Sequence, residues 1–187
     1  MNRFVMCFAA VVMLSWAGPA LAENADLLAD VEPAGPRNTI TVNPLGLALG
    51  TFNIEYERAV SPSMSWFIGP QYFSYSSDSV LVDESVSSVG LSGGVRLFVS
   101  GTAPEGWFLS PNLSLAYAVA EVGNVEGTAV GYSVGFIGGY TWLIADVVDI
   151  SLGLGAQYMS AEVEVEGEEI GFAGVLPSGR LAVGVAF

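Results

Sequence analysis

Histidine and lysine are absent from this 187-residue sequence, and cysteine occurs once, at Cys7. Each absence excludes a class of function. Without His there is no His-dependent catalytic triad and no imidazole metal site. One Cys supplies neither a disulfide framework nor a thiolate zinc cluster. The basic residues number five against 19 acidic ones, a net charge of −14, so the cations that neutralise nucleic-acid phosphates are missing. What is present argues against disorder. Hydrophobic residues make up 52% of the chain and aromatics 11%, with 23 Gly and a mean hydropathy of +0.55. The chain is therefore acidic, apolar and glycine-rich at once.

The first 22 residues read as a secretory signal peptide. Met1-Asn2-Arg3 is a short basic start, Phe4 to Trp16 is uncharged and apolar, and Gly18-Pro19 breaks that run. Ala20-Leu21-Ala22 supplies a small-x-small cleavage site at Ala20 and Ala22. The apolar run falls short of the ~20 residues of a spanning helix. Cys7 leaves with the leader. Residues 23–37 are polar and acidic with Pro33 and Pro36, and read as a flexible periplasmic arm.

From Asn38 onward no apolar run is long enough for a transmembrane helix, and the period is two. Trp107, Leu109, Pro111, Leu113, Leu115, Tyr117 and Val119 share one face of a strand. Phe108, Ser110, Asn112, Ser114, Ala116 and Ala118 share the other. The same alternation places strands at 38–48, 52–60, 64–75, 86–99, 107–120, 129–143, 149–162 and 170–187. Ser61-Pro62-Ser63, Gly101 to Gly106 and Ile144 to Val148 are short connections, and so is the turn near Gly50-Thr51. Ser76 to Ser85, Glu121 to Thr128 and Val163 to Glu169 are longer, polar and acidic.

The large apolar face points to lipid on three grounds. The opposite face carries Gly, Ser, Ala and Asn rather than the charges of a soluble surface. Trp66, Trp107, Tyr117, Tyr132, Tyr140, Trp142 and Tyr158 cluster near strand ends, as in interfacial girdles. Strands of this length suit tilted spans, and an even count of eight closes a barrel with no free edge. The expected fold is all-β: an eight-stranded antiparallel transmembrane β-barrel in an up-and-down meander over residues 38–187. Pro70, Pro111 and Pro177 fall inside these strands and each removes a ladder donor, so they mark bulges or overhang.

Residues 180–187 resemble the C-terminal assembly signal of bacterial outer-membrane barrels. Arg180, Val185 and Phe187 match it, while Ala182 stands where Gly is expected and Gly184 follows. With the leader and eight strands, the chain resembles small OmpA/OmpX-like outer-membrane proteins. Asn43-Pro44-Leu45 and Asn53-Ile54-Glu55-Tyr56-Glu57 also resemble an uncharacterised outer-membrane family of unknown function. The resemblance implies residence in the bacterial outer membrane, among its lipid and lipopolysaccharide, and insertion by the barrel-assembly machinery. It implies no particular activity.

Two clusters stand out. Glu55, Glu57, Arg96 and Arg180 fall on the small-residue face, and an unpaired charge in a narrow lumen is costly. A luminal plug is expected in which these four join Gln71 and Gln157. Glu162, Glu164, Glu166, Glu168 and Glu169 form an acidic segment, a candidate binder of divalent cations. No nucleophile–base pair is present, so neither catalysis nor a cofactor is expected. The expected role is structural or surface-interacting through acidic extracellular loops. The alternatives are a narrow pore or carrier for small apolar molecules, and a soluble exported lipocalin-like binder.

Overall fold

A computed structural model describes residues 35–48, 50–78, 83–122, 125–165 and 168–187. The leader, its cleavage residues Ala20 and Ala22, and the arm up to residue 34 lie outside the described residues.

Eight antiparallel strands close on themselves in chain order. They are β1 (Asn38–Val42), β2 (Thr51–Ser61), β3 (Met64–Asp78), β4 (Asp83–Phe98), β5 (Gly106–Val122), β6 (Val125–Ile144), β7 (Val148–Val165) and β8 (Glu168–Ala186). Burial follows the period of two. In β2, Glu55, Glu57 and Ala59 are buried while Ile54, Arg58 and Val60 are exposed. In β5, Phe108 and Ser110 point in while Trp107, Leu109 and Leu113 point out. Small residues occupy the concave side because inward side chains of neighbouring strands crowd together there. A Cβ added at Gly139 would lie 2.6 Å from the Phe108 ring.

The structure corrects three strand limits. First, β1 stops at Val42 instead of running to residue 48, and a short helix, α1 (Pro44–Ala48), follows. The cause is local. The Asn43 side chain accepts a hydrogen bond from the Gly46 N–H at 2.9 Å, an N-cap, and Pro44 occupies the first helical position. Gly50 then turns the chain with a φ of +80°. A Cβ there would sit 2.5 Å from the Ser74 carbonyl oxygen, so glycine is required.

Second, the three polar segments read as long loops are largely strand. Pairing continues to Asp78–Asp83, Val122–Val125 and Val165–Glu168. The alternation of Val163 and Val165 with glutamates keeps strand periodicity beyond the apolar belt.

Third, Pro70 and Pro111 each interrupt one ladder without shifting its register. The β2–β3 pairing skips the positions opposite Ile54 and Glu55, beside Pro70. The β4–β5 pairing skips Val95 and Arg96, beside Pro111. The β7–β8 ladder runs through Pro177 unbroken, so its missing donor falls on the side of β8 that has no partner at that height.

The wall is uneven. The β1–β8 pairing covers only Thr39–Ala186 to Val42–Val183, and β1–β2 ends at Val42–Ile54. Above that level β8 continues alone on that side, and α1 packs against both β2 and β8. At the end that holds both Asn38 and Phe187, the seam is tied in both directions. Asn38 N–H donates to the Phe187 carbonyl at 3.0 Å and Phe187 N–H to the Asn38 carbonyl at 2.9 Å.

Candidate functional site

The interior is layered along the barrel axis. At the end that holds Asn38 and Phe187, the β4–β5 connection folds across the opening. Ala103 donates its N–H to the Pro62 carbonyl at 2.8 Å and packs with Ala59, Phe98 and Phe108 into an apolar stopper.

A charged layer lies inside that stopper. Arg96 reaches from β4 to both carboxylates of β2. Its Nη2 donates to Glu55 Oε1 at 2.6 Å and its Nη1 to Glu57 Oε2. Arg180 on β8 holds Glu55 with both ends of its fork, Nη1 to Oε2 at 2.9 Å and Nη2 to Oε1 at 2.8 Å. The bidentate geometry is the strong form of this contact. The charges thus form a chain, Glu57–Arg96–Glu55–Arg180. Ser65 donates to Glu57, Arg180 Nε donates to Ser151 Oγ at 2.9 Å, and Thr141 donates to the same Ser151 oxygen at 3.2 Å. The Arg96 guanidinium also stacks over Phe67, 4.4 Å from the ring centroid, and lies 5.5 Å from that of Phe108. Arg96 and Glu57 are each 1% exposed, so this is a desolvated core made of ions.

Two glutamines expected in this network are elsewhere. Gln71 and Gln157 line a separate cavity of about 270 Å³ toward the opposite end, among Ser88, Ser114, Ala116 and Ala129. Their strand positions put them too far along the axis to meet the charges. Asp149, by contrast, was missed. It is 1% exposed on the inward face of β7, two residues from Ser151. The period of two that puts Ser151 and Gly153 inward puts Asp149 inward as well. Asp149 Oδ1, Thr39 Oγ1, Thr41 Oγ1 and Arg96 Nε have no hydrogen-bond partner among the described residues.

Of the terminal signal, Arg180 is this luminal ligand of Glu55. Val185 pairs with Ile40 across the seam and with Val148 on β7, and Phe187 bonds to Asn38. Of the acidic segment, Glu162 and Glu164 belong to β7, and Glu168 and Glu169 to β8, with Glu164 opposite Glu169. Glu166 lies outside the described residues.

The fold follows from the strand order alone. The chain is a closed eight-stranded antiparallel β-barrel. No family model and no curated protein matches it. Among solved structures it is similar to Ail, the attachment invasion locus protein of Yersinia pestis, at 13% identity. That likeness covers 82% of this chain and 99% of the other, with a TM-score of 0.47. It is also similar to the translocator domain of the autotransporter NalP from Neisseria meningitidis. There the identity is 15%, the coverage 94% of this chain and 68% of the other, and the TM-score 0.43. Likenesses this low carry no argument about the barrel's activity, which rests on its own surfaces.

Proposed function

We propose that the barrel resides in the bacterial outer membrane as a sealed, non-conducting protein with a structural or surface-interacting role. The observation that carries this reading is the inversion of its surfaces. Arg96, Glu57 and Asp149 are inside, and large apolar side chains cover the outside: Leu154 is 80% exposed and Val175 71%. A soluble lipocalin-like barrel buries such side chains, and an apolar surface beyond a few hundred Å² marks an interaction surface.

Aromatic residues bound this surface at two heights. Trp66, Trp107, Tyr140 and Trp142 lie toward the end with Asn38 and Phe187, and Tyr72, Tyr117, Tyr132 and Tyr158 toward the other. From Trp107 to Tyr117 is about ten residues, roughly 33 Å along the strand. At a tilt of ~40° that is about 25 Å along the axis, the height of a barrel's apolar band.

In this reading the termini face the periplasm, the acidic hairpin tips face outward, and lipopolysaccharide is the neighbouring lipid. The barrel-assembly machinery inserts the chain. The stopper and the ion layer support a closed lumen over a pore. No catalytic activity is proposed. The test is fractionation with gel mobility before and after heating, then planar-bilayer recording. Membrane-bound protein with heat-modifiable mobility and no unitary conductance is expected. Recovery in the soluble extract overturns the membrane reading, and stable ion-selective channels overturn the seal.

A further inference from the structure

We infer that the charged layer of the lumen holds one alkali-metal cation, on the side chains of Asp149, Thr41 and Thr39. The site lies inside the barrel, so it goes beyond the membrane reading and does not depend on it.

Three oxygen atoms carry the inference. Asp149 Oδ1, Thr39 Oγ1 and Thr41 Oγ1 have no hydrogen-bond partner among the described residues, at residue exposures of 1%, 0% and 1%. A buried polar atom without a partner is costly, and a buried carboxylate more so. Three of them in one layer point to a single group that all of them face.

Register brings these side chains together. Thr41 on β1 and Asp149 on β7 are both paired with Gly184 of β8. They stand level with each other across one strand, at a residue that has no side chain. Two strand spacings are about 10 Å along the wall, and inward side chains converge across its curve. The curve is sharp here. A Cβ built on Gly184 would fall 2.6 Å from Thr41 Cα and 1.9 Å from the Ile40 carbonyl oxygen, so β1 closes tightly over β8. Thr39 is the next inward residue of β1, about 7 Å along the strand. On β2, Glu55 is paired with Thr41 and Glu57 with Thr39.

Charge selects the occupant. The layer contains three carboxylates, Glu55, Glu57 and Asp149, against two guanidiniums, Arg96 and Arg180. Both glutamates are bonded to arginine, whereas Asp149 forms no ion pair among the described residues. Arg37, ahead of β1, is half-buried and has contacts of its own. The desolvated layer is thus one positive charge short, and an uncompensated buried charge is unfavourable. A water molecule would satisfy the oxygens and leave the charge. A divalent ion calls for a richer set, about 6–8 oxygens with several carboxylates for calcium. Among the described residues no three acidic side chains are grouped to hold a metal ion. One carboxylate with two hydroxyls is a hard, singly charged oxygen set, which suits sodium. Thr41 also borders a cavity of about 130 Å³, lined in part by Glu55, Asn53 and Asn112, which gives an ion room to approach.

The test is urea unfolding of the barrel in neutral-detergent micelles, followed by Trp fluorescence, across a sodium chloride series. Choline chloride keeps the ionic strength constant. The unfolding constant is expected to fall by up to about tenfold per tenfold rise in sodium. Dialysis against radioactive sodium is expected to leave one ion on each chain. Asp149→Asn is expected to abolish both effects, and Thr41→Val to weaken binding about tenfold. Thr41→Val alone serves if Asp149→Asn does not fold, as heated and unheated gel mobility shows. Equal stability in sodium and choline, with no sodium retained, overturns the site, since water or a proton then satisfies Asp149. Sodium binding unchanged in the folded variants overturns the assignment to these residues and moves the ion to the acidic hairpin tips. Displacement of sodium by equimolar calcium overturns the single charge.

Discussion

Replacing Arg96 by Met separates the two roles of the luminal charges. The Met stem keeps much of the packing between Phe67 and Phe108, and what is lost is the ion. Glu57 is then left with Ser65 as its hydrogen-bond partner and no cation, at 1% exposure. Glu55 keeps both oxygens on Arg180. Removing one partner of a buried pair costs about 3–5 kcal/mol, because the other charge stays desolvated and alone. The stacking of Arg96 over Phe67 adds about 0.5–2 kcal/mol. An expected loss of about 3.5–7 kcal/mol follows, large against the whole stability of a small domain. Arg180→Met is expected to cost less, about 1–3 kcal/mol, because Arg96 still holds Glu55 and position 180 is partly exposed. The second variant that decides the matter is Arg96→Met/Glu57→Gln. Neutralising the stranded carboxylate is expected to return about 2–3 kcal/mol. Urea unfolding of vesicle-inserted protein, followed by Trp fluorescence and gel mobility, measures all three. If Arg96→Met costs under about 1 kcal/mol, or if Glu57→Gln returns nothing in its background, the ion chain is not a coupled core.

Gly155→Ala is expected to cost at least about 2 kcal/mol in the same assay, since its Cβ meets the Phe136 carbonyl oxygen, while Gly138→Ala stays within about 0.5 kcal/mol. Ala145 turns the β6–β7 connection with a φ of 54°. Ala145→Gly is expected to raise stability by about 0.5–1 kcal/mol, the left-handed penalty relieved less the entropy of glycine. Deleting Phe187 removes its two backbone hydrogen bonds to Asn38 and the one from the Asn38 side-chain amide. Slower refolding into vesicles, timed by the appearance of the heat-modifiable band, is expected, and an unchanged rate would show that the seam forms without that tie.

Strand number, meander order and the facing of side chains were legible because a closed barrel enforces a period of two, and large outward residues such as Leu113 and Val134 reveal it. The four charges were legible for the same reason. The sequence misled where a local signal competed with the period. Asn43-Pro44 is a helix start, an N-cap followed by proline, yet Ile40 and Val42 before it extend the strand rhythm. The glutamates between Val163 and Val165 read as loop by polarity, although their alternation is that of a strand. Height along the axis is invisible to alternation, which says in or out but not how far up. That is why Gln71 and Gln157, inward by their period, give no sign in the sequence of lying beyond reach of the charges.

The seam between β1 and β8 also governs when the barrel comes into being. Asn38 and Phe187 are 149 positions apart in the chain, yet they bond to each other. The contacts that close the cylinder join segments from opposite ends of it, the most costly in loop entropy and the slowest to find. Every hairpin from β2 to β8 pairs neighbours and forms early, but the ring remains an open sheet until its last-made strand meets its first. Ions destined for the lumen, Glu55 from β2 and Arg180 from β8, stay apart until then. Circularisation and completion of the charge chain are thus one event, and a chain held before that event presents both an unpaired edge and two glutamates that share Arg96 as their cation.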